Sequence, residues 1–146
     1  MDPSGIPRGV RGRRSGGRPD GRRALGAVGE QLAAAHFERL GFTVLGRNVR
    51  TGHGEIDLIA CDGRTLVFAE VKTRALRAGA GPRPALDPLA ALRHRQRARL
   101  RRAAVAWLSR ERSSRPRART IRFDAIGVVL DARGGLVRLD HLEAAW

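Results

Sequence analysis

Apolar side chains recur at helical spacing in 24–40, where Leu25, Val28, Leu32, Ala35, Phe37 and Leu40 follow one another before Gly41 supplies a stop. The pattern predicts a first helix there. The period then shortens. Residues 42–50, with Val44 and Leu45, read as a strand, and Thr51-Gly52-His53-Gly54 reads as the turn that ends it. Residues 55–60 (EIDLIA) and 65–73 (TLVFAEVKT) read as two more strands, with Asp62-Gly63 between them as a strong hairpin signal. Three prolines and two glycines in 75–88 predict a mobile loop. A long arginine-rich helix follows over 89–110, with Leu92, Leu100, Ala103 and Trp107 on one side. After a break at 113–119, residues 120–130 and 136–140 read as two last strands around Gly134-Gly135, giving the order αβββαββ.

Residues 1–23 carry almost no apolar side chains, so ordering them would cost entropy with little return. They are expected to form a flexible basic tail ahead of a single domain over 24–146. Its Arg-Gly pairs fit contact with single-stranded nucleic acid, and a solubilising extension fits equally well. Cys61 is the only cysteine, which excludes an internal disulfide and a thiolate zinc cluster and suits a reducing cytoplasm. No apolar run reaches the ~18 residues of a membrane helix, and no secretory signal is apparent.

The formal charge is +15, and its distribution is more informative than its size. Residues 24–88 are almost balanced, whereas 89–122 hold twelve arginines against Glu111 alone. Basic flanks around a near-neutral centre suit a protein that grips phosphates while acids inside hold a metal. Arg93, Arg97 and Arg101, spaced by four, make a basic stripe that Arg95, Arg99 and Arg102 broaden. Nucleic acid is the expected partner of that stripe, against the alternative of a solvated helix face. Stacking aromatics are scarce: Tyr is absent, and Trp107 and Phe37 look like core residues.

Strand periodicity puts Glu55 and Asp57 on one face of the second strand, and Glu70 and Lys72 on one face of the third. With Asp62 and Gly63 as the two central turn residues, Asp57 falls opposite Phe68 and Glu55 opposite Glu70, so all four polar groups project to one side. Three carboxylates among Leu and Val call for a cation. Lys72 neutralises one charge, and a divalent ion could neutralise the rest. Mg²⁺ fits, being held by one or two carboxylates with water and substrate phosphate, and Mn²⁺ fits as well. Lys72 is also the only lysine beside 28 arginines, which points to a place where a compact ammonium is needed; a strand-edge lysine is the plainer alternative.

Asp57 followed by Glu70-Val71-Lys72 resembles the PD-(D/E)xK nuclease signature, with Ile56 where that signature often has proline. Gly29-Glu30-Gln31-Leu32-Ala33, Gly41-Phe42, Arg47-Asn48-Val49-Arg50, Gly54-Glu55-Ile56-Asp57-Leu58-Ile59 and the run from Val67 to Arg74 together resemble the YraN family of bacterial proteins, over roughly 24–146. The resemblance implies a restriction-endonuclease-like fold: α/β, with a central mixed sheet flanked by helices, shared with Holliday-junction resolvases. It implies that Asp57 and Glu70 bind metal together with the Val71 carbonyl, that Lys72 assists an attacking water, and that a carboxylate on the first helix, Glu30, completes the site. Glu30 otherwise reads as a helix-surface charge, and Glu55 as a strand-end acid facing solvent. His53 suits a loop role, and His36, His94 and His141 have no partners visible in the sequence.

The leading expectation is a Mg²⁺- or Mn²⁺-dependent endonuclease acting on DNA in preference to RNA, with branched or single-stranded substrates implied by fold analogy alone. A non-catalytic nucleic-acid-binding protein on the same scaffold is the alternative, and a subunit docking an acidic protein is the third. Resolvase-like members act in pairs, which leaves a homodimer open.

Overall fold

The computed structural model describes residues 17–77, 88–89, 94–110 and 113–146. They run as α1 (Gly17–Arg39), β1 (Thr43–Thr51), β2 (Gly54–Cys61), β3 (Thr65–Ala75), α2 (His94–Arg110), β4 (Thr120–Leu130) and β5 (Leu136–Leu142), the order expected from the sequence. The strands form one sheet in the order β1-β2-β3-β4-β5. Only β3 and β4 are parallel; the other neighbours are antiparallel. A parallel pair needs a crossover connection, and α2 lies within it. The architecture is α/β, with a mixed sheet between two helices, consistent with a restriction-endonuclease-like fold. None of the helices is long and apolar enough to cross a membrane, among the described residues.

Each face of the sheet has its own core. On one side Ala33, Ala34 and Phe37 of α1 pack on Leu58, Ala60, Val67, Ala69, Val71, Ile126, Val128 and Leu130. On the other, Leu100, Ala103 and Ala104 of α2 pack on Ile56, Ile59, Cys61, Leu66 and Phe68, with Trp107 against the edge of the Phe68 ring. Because β3 is covered on both faces, its sequence is a nearly continuous apolar run. Glu70 interrupts that run while remaining buried.

Three details depart from the sequence reading. First, α1 begins at Gly17, so 17–23, expected in the tail, belong to the helix; 1–16 lie outside the described residues. Arginine is a good helix former, and Asp20 in the first turn complements the helix dipole. Second, α1 does not bury Val28 or Leu40, which stay exposed. Its packing stripe is Gly29, Ala33, Ala34 and Phe37. Small residues are required because the helix comes so close to β3 that a Cβ on Gly29 would fall on the Thr73 hydroxyl. Third, the β2–β3 hairpin is wider than two residues: Cys61 pairs with Leu66, and Asp62 Oδ1 accepts the Arg64 and Thr65 amides at 3.0 and 2.8 Å. Gly63, at φ +91°, takes the left-handed turn conformation. In α2 the described helix starts at His94; Leu92 and Arg93 lie outside the described residues, as do 78–87 of the expected loop.

The end of α1 is closed as the sequence anticipates. Gly41 adopts φ +89°, its amide bonds to the Glu38 carbonyl at 3.0 Å, and Phe42 bonds to the Phe37 carbonyl at 3.0 Å, a Schellman arrangement.

Gly29→Ala is expected to destabilise the fold by about 1–3 kcal/mol through overpacking, and Thr73→Ala in the same chain to recover part of the loss. Urea unfolding midpoints of the three proteins measure it; a Gly29→Ala midpoint equal to the parent's refutes the close approach.

Candidate active site

Alternation along β3 assigns its side chains to faces: Leu66 and Phe68 pack under α2, whereas Val67, Ala69 and Val71 pack under α1. Glu70 and Lys72 therefore belong to the α2 face. On β2, Ile59 and Cys61 share that face, but so does Ile56, so the alternation breaks near Asp57 and does not assign it a face; the Val71 amide and the neighbouring charge of Glu70 locate it instead.

The last regular β2–β3 pair is Leu58 with Ala69. Continued by one step, this register sets Asp57 opposite Glu70, two residues from the register inferred from a tight turn. A shift of two keeps Glu70 and Lys72 on their face, and the bond from the Val71 amide with the neighbouring charge of Glu70 keeps Asp57 beside them. Beyond Leu58 the strands no longer pair in the ladder, and Asp57 Oδ2 instead accepts the Val71 amide at 2.8 Å. A strand residue presents its N–H and C=O to the same edge, so the Val71 carbonyl also faces this gap.

Glu70 is only 6% exposed. Its Oε1 lies 3.1 Å from Lys72 Nζ, and that pair has part of its surface in water. Among the described residues, Asp57 has no ion-pair partner. Burial pushes its carboxyl up to about 8, the neighbouring Glu70 adds to the rise, the Val71 amide partly opposes it, and the charge of Glu30 raises it further. Two carboxylates with one ammonium thus need either a shared proton or another cation. The donor set is all oxygen: two carboxylates and a backbone carbonyl. It fits a hard divalent ion that keeps several waters.

The wider acidic cluster expected from the sequence does not assemble. Among the described residues, no three His, Cys, Asp or Glu side chains come close enough to hold an ion together. Glu55 is paired with Arg50 of β1, beyond the end of the β2–β3 ladder, rather than set opposite Glu70. Glu30, half-buried on α1, reaches Asp57 through its field.

The rim is basic. A Cβ on Gly54, at the start of β2, would lie 3.1 Å from Cδ of Arg99, so the Arg99 stem crosses that end of the strand. Gly127, the β4 residue in register with Lys72, is covered by Pro88 and Leu89. Arg95, Arg99, Arg101 and Arg102 are exposed. The stripe of spacing four is partly anchored on aromatic rings: Arg97 lies over Trp146 at 5.8 Å and Arg101 over Phe123 at 5.9 Å. Arg93, its first member, lies outside the described residues. His53 sits in the exposed β1–β2 turn, its amide bonded to Thr51 Oγ1 at 3.1 Å, and lines a groove with Arg101 and Arg102.

A second polar cluster was not visible in the sequence. Asp124 of β4 is fully buried and accepts Arg122 Nε and Nη2 at 2.8 Å each, lies 2.8 Å from His141 Nε2 and accepts the Ala144 amide at 3.1 Å. Burial alone would raise its carboxyl; His141, Arg122 and Ala144 outweigh that and hold it below the ordinary value. His141 Nδ1 is 3.0 Å from His36 Nε2, which joins α1 to the edge strand β5. The only sequence trace was Arg122 and Asp124 at strand spacing; the two histidines are 105 residues apart.

A sequence model described as Uncharacterised protein family UPF0102 matches residues 29–128, a span that contains Glu30, Asp57, Glu70 and Lys72. Relatives called UPF0102 protein include one from Acidothermus cellulolyticus, 42% identical over 77% of this chain and 86% of its own. One from Beutenbergia cavernae is 43% identical over 82% and 93%. A longer one from Oleidesulfovibrio alaskensis is 42% identical over 91% of this chain, which spans 61% of its length.

A raised Asp57 gives a signed pH dependence. The folded state holds a proton that the unfolded chain has lost, so stability falls as pH rises from the ordinary carboxyl range through about 8. In metal-free protein the thermal midpoint is expected to drop between about pH 5 and about pH 9, and Asp57→Asn to flatten the slope. Equal slopes in parent and variant count against the buried acid pair.

Proposed function

The chain belongs to the UPF0102 family, and from that premise we propose that its acid pair is the centre of a metal-dependent phosphodiesterase that cuts nucleic acid, DNA in preference to RNA. The observation that carries this reading is a buried Asp57 beside a buried Glu70, with a single lysine to balance them. Such a pair is costly as a purely structural element. It is economical as a cation site.

Asp57, Glu70 and the Val71 carbonyl would hold Mg²⁺ or Mn²⁺. The ion, when bound, offsets charge on the phosphoryl oxygens and makes water more acidic. Lys72, tethered to Glu70 and partly open to solvent, is placed to hold a water by hydrogen bond and orient it toward phosphorus. The attacking water releases a proton to solvent as its oxygen forms the new P–O bond, the bond to the leaving oxygen breaks, and that oxygen takes up a proton from solvent. Glu30 raises the negative field at Asp57 without touching the reacting atoms. The arginines of α2, on the same face of the sheet, would bind phosphates on either side of the scissile one.

The α2 face also supports a second reading, a nucleic-acid-binding protein without catalysis, because its arginines depend on neither acid. Cleavage distinguishes the two.

With Mg²⁺ or Mn²⁺, purified protein is expected to cut branched, duplex or single-stranded DNA, and Asp57→Asn and Lys72→Ala each to lower the rate roughly 10²-fold or more. Cutting that survives both substitutions removes these residues from the reaction; binding without cutting under every condition leaves the second reading. Arg99→Ala and Arg102→Ala should each reduce the log-log salt slope of binding by about 1. An unchanged slope would mean that the α2 face does not contact phosphate.

A further inference from the structure

Three aromatic rings stack in succession on the α2 face of the sheet. Phe123 stacks on Phe68 with centroids 5.8 Å apart, and Trp146 stacks on Phe123 at 6.3 Å. The two arginines of α2 that lie over this stack, Arg97 on Trp146 and Arg101 on Phe123, are one helical turn apart. A guanidinium laid on a ring keeps its in-plane N–H donors for other partners. Among the described residues, neither arginine makes an ion pair. Beside them runs a groove of about 480 Å³, lined by His94, Arg97, Ala98, Arg101, Arg102 and Trp146. None of these lining residues is acidic.

Two donors at this groove have no acceptor. Arg97 Nε and Trp146 Nε1 are both buried, and neither has a hydrogen-bond partner. A buried N–H without an acceptor is a standing cost, and native chains leave few of them. Here the two belong to touching side chains, one of them charged, on the wall of a groove that holds two more arginines. An anionic acceptor from outside the chain answers both the missing bonds and the unpaired charge. A phosphodiester strand suits the groove better than a single carboxylate, because its charge repeats and can meet Arg97, Arg101 and Arg102 in turn. The place in the fold agrees. Phe123 is in register with Phe68, two residues before Glu70 on β3. At about 4.8 Å between strands and about 3.4 Å per residue, the ring under Arg101 starts roughly 8 Å from the Glu70 backbone.

We propose that the groove between α2 and Trp146 is a phosphate-binding subsite, in which Arg97, Arg101 and the Trp146 indole N–H hold a phosphodiester of a DNA strand close to the one attacked. The Arg97 guanidinium turns on its outer torsions to admit the anion, and the turn uncovers both shielded N–H groups. Trp146 gives the subsite an uncharged donor, so it recognises the phosphate by shape as well as by charge. Its position relative to the reacting phosphate rests on the acid pair being the reacting centre; the binding of phosphate does not.

Binding of a short oligothymidylate by the full chain in EDTA, where no metal-dependent cutting takes place, is the test. Trp146→Phe keeps the ring and removes its N–H, and Arg97→Lys keeps the charge and removes the planar fork. Each should raise Kd about three- to tenfold at fixed salt. In the parent, the Trp146 indole N–H resonance should move downfield as the strand binds, a reading that needs no variant to fold. Parent-like affinity in both variants overturns the proposal, and so does an indole resonance that stays where it was. Inorganic phosphate competing as well as the oligonucleotide at equal phosphate concentration would make a free anion the occupant, and polyglutamate competing as well would make it an acidic protein; either overturns the assignment to a strand. Binding weakened by both variants in a protein that never cuts DNA would keep the subsite and remove the catalytic reading, so the two failures are distinct.

Discussion

Two carboxylates buried side by side at the point where β2 and β3 part is the constraint to which the surrounding structure answers. Each acid loses hydration, and each raises the cost of ionising the other. The fold compensates with three separate groups: the Val71 amide on Asp57, the Lys72 ammonium on Glu70, and the opening of the ladder beyond Leu58, which frees backbone groups that a continuous hairpin would consume. The close packing of α1 belongs to the same arrangement. Gly29 lets the helix descend on Thr73 and brings the field of Glu30 to bear on Asp57.

The contrast between the two buried acidic centres is instructive. Asp124 is as deeply buried as Glu70, but the bidentate Arg122, His141 and an amide satisfy it completely and leave a stable anion. It is structural: it ties β4 to β5 and, through His36, to α1. Among the described residues, Asp57 has one amide donor, no ion-pair partner and a second acid for a neighbour. The same residue type is settled in one place and unsettled in the other, and the proposed cation site rests on the unsettled one.

Much of this could be read from the sequence because period-two alternation is insensitive to its commonest error. The hairpin register was off by two, yet Glu70 and Lys72 keep their face, and Asp57 lies beside Glu70 although the alternation of β2 breaks next to it. Glu55 shows where the argument fails: alternation gives the face but not where the ladder ends, and Glu55 lies past that end. The packing side of α1 was read in part: Leu25, Leu32 and Phe37 pack on the core as expected, but Val28 and Leu40 stay exposed and the closest approach belongs to the small residues Gly29, Ala33 and Ala34. The His36–His141–Asp124 chain stayed hidden because its members come from three elements whose contact only the tertiary fold decides.

The lone lysine has one more implication. Apart from four histidines, every other basic side chain is a guanidinium, which acyl donors do not modify under conditions that acylate an amine. Side-chain acylation can therefore strike only at Lys72, where it would remove the ammonium paired with Glu70 and leave the arginine surface of α2 fully charged. The chain thus keeps two chemically orthogonal sets of positive charge, one erasable and one permanent.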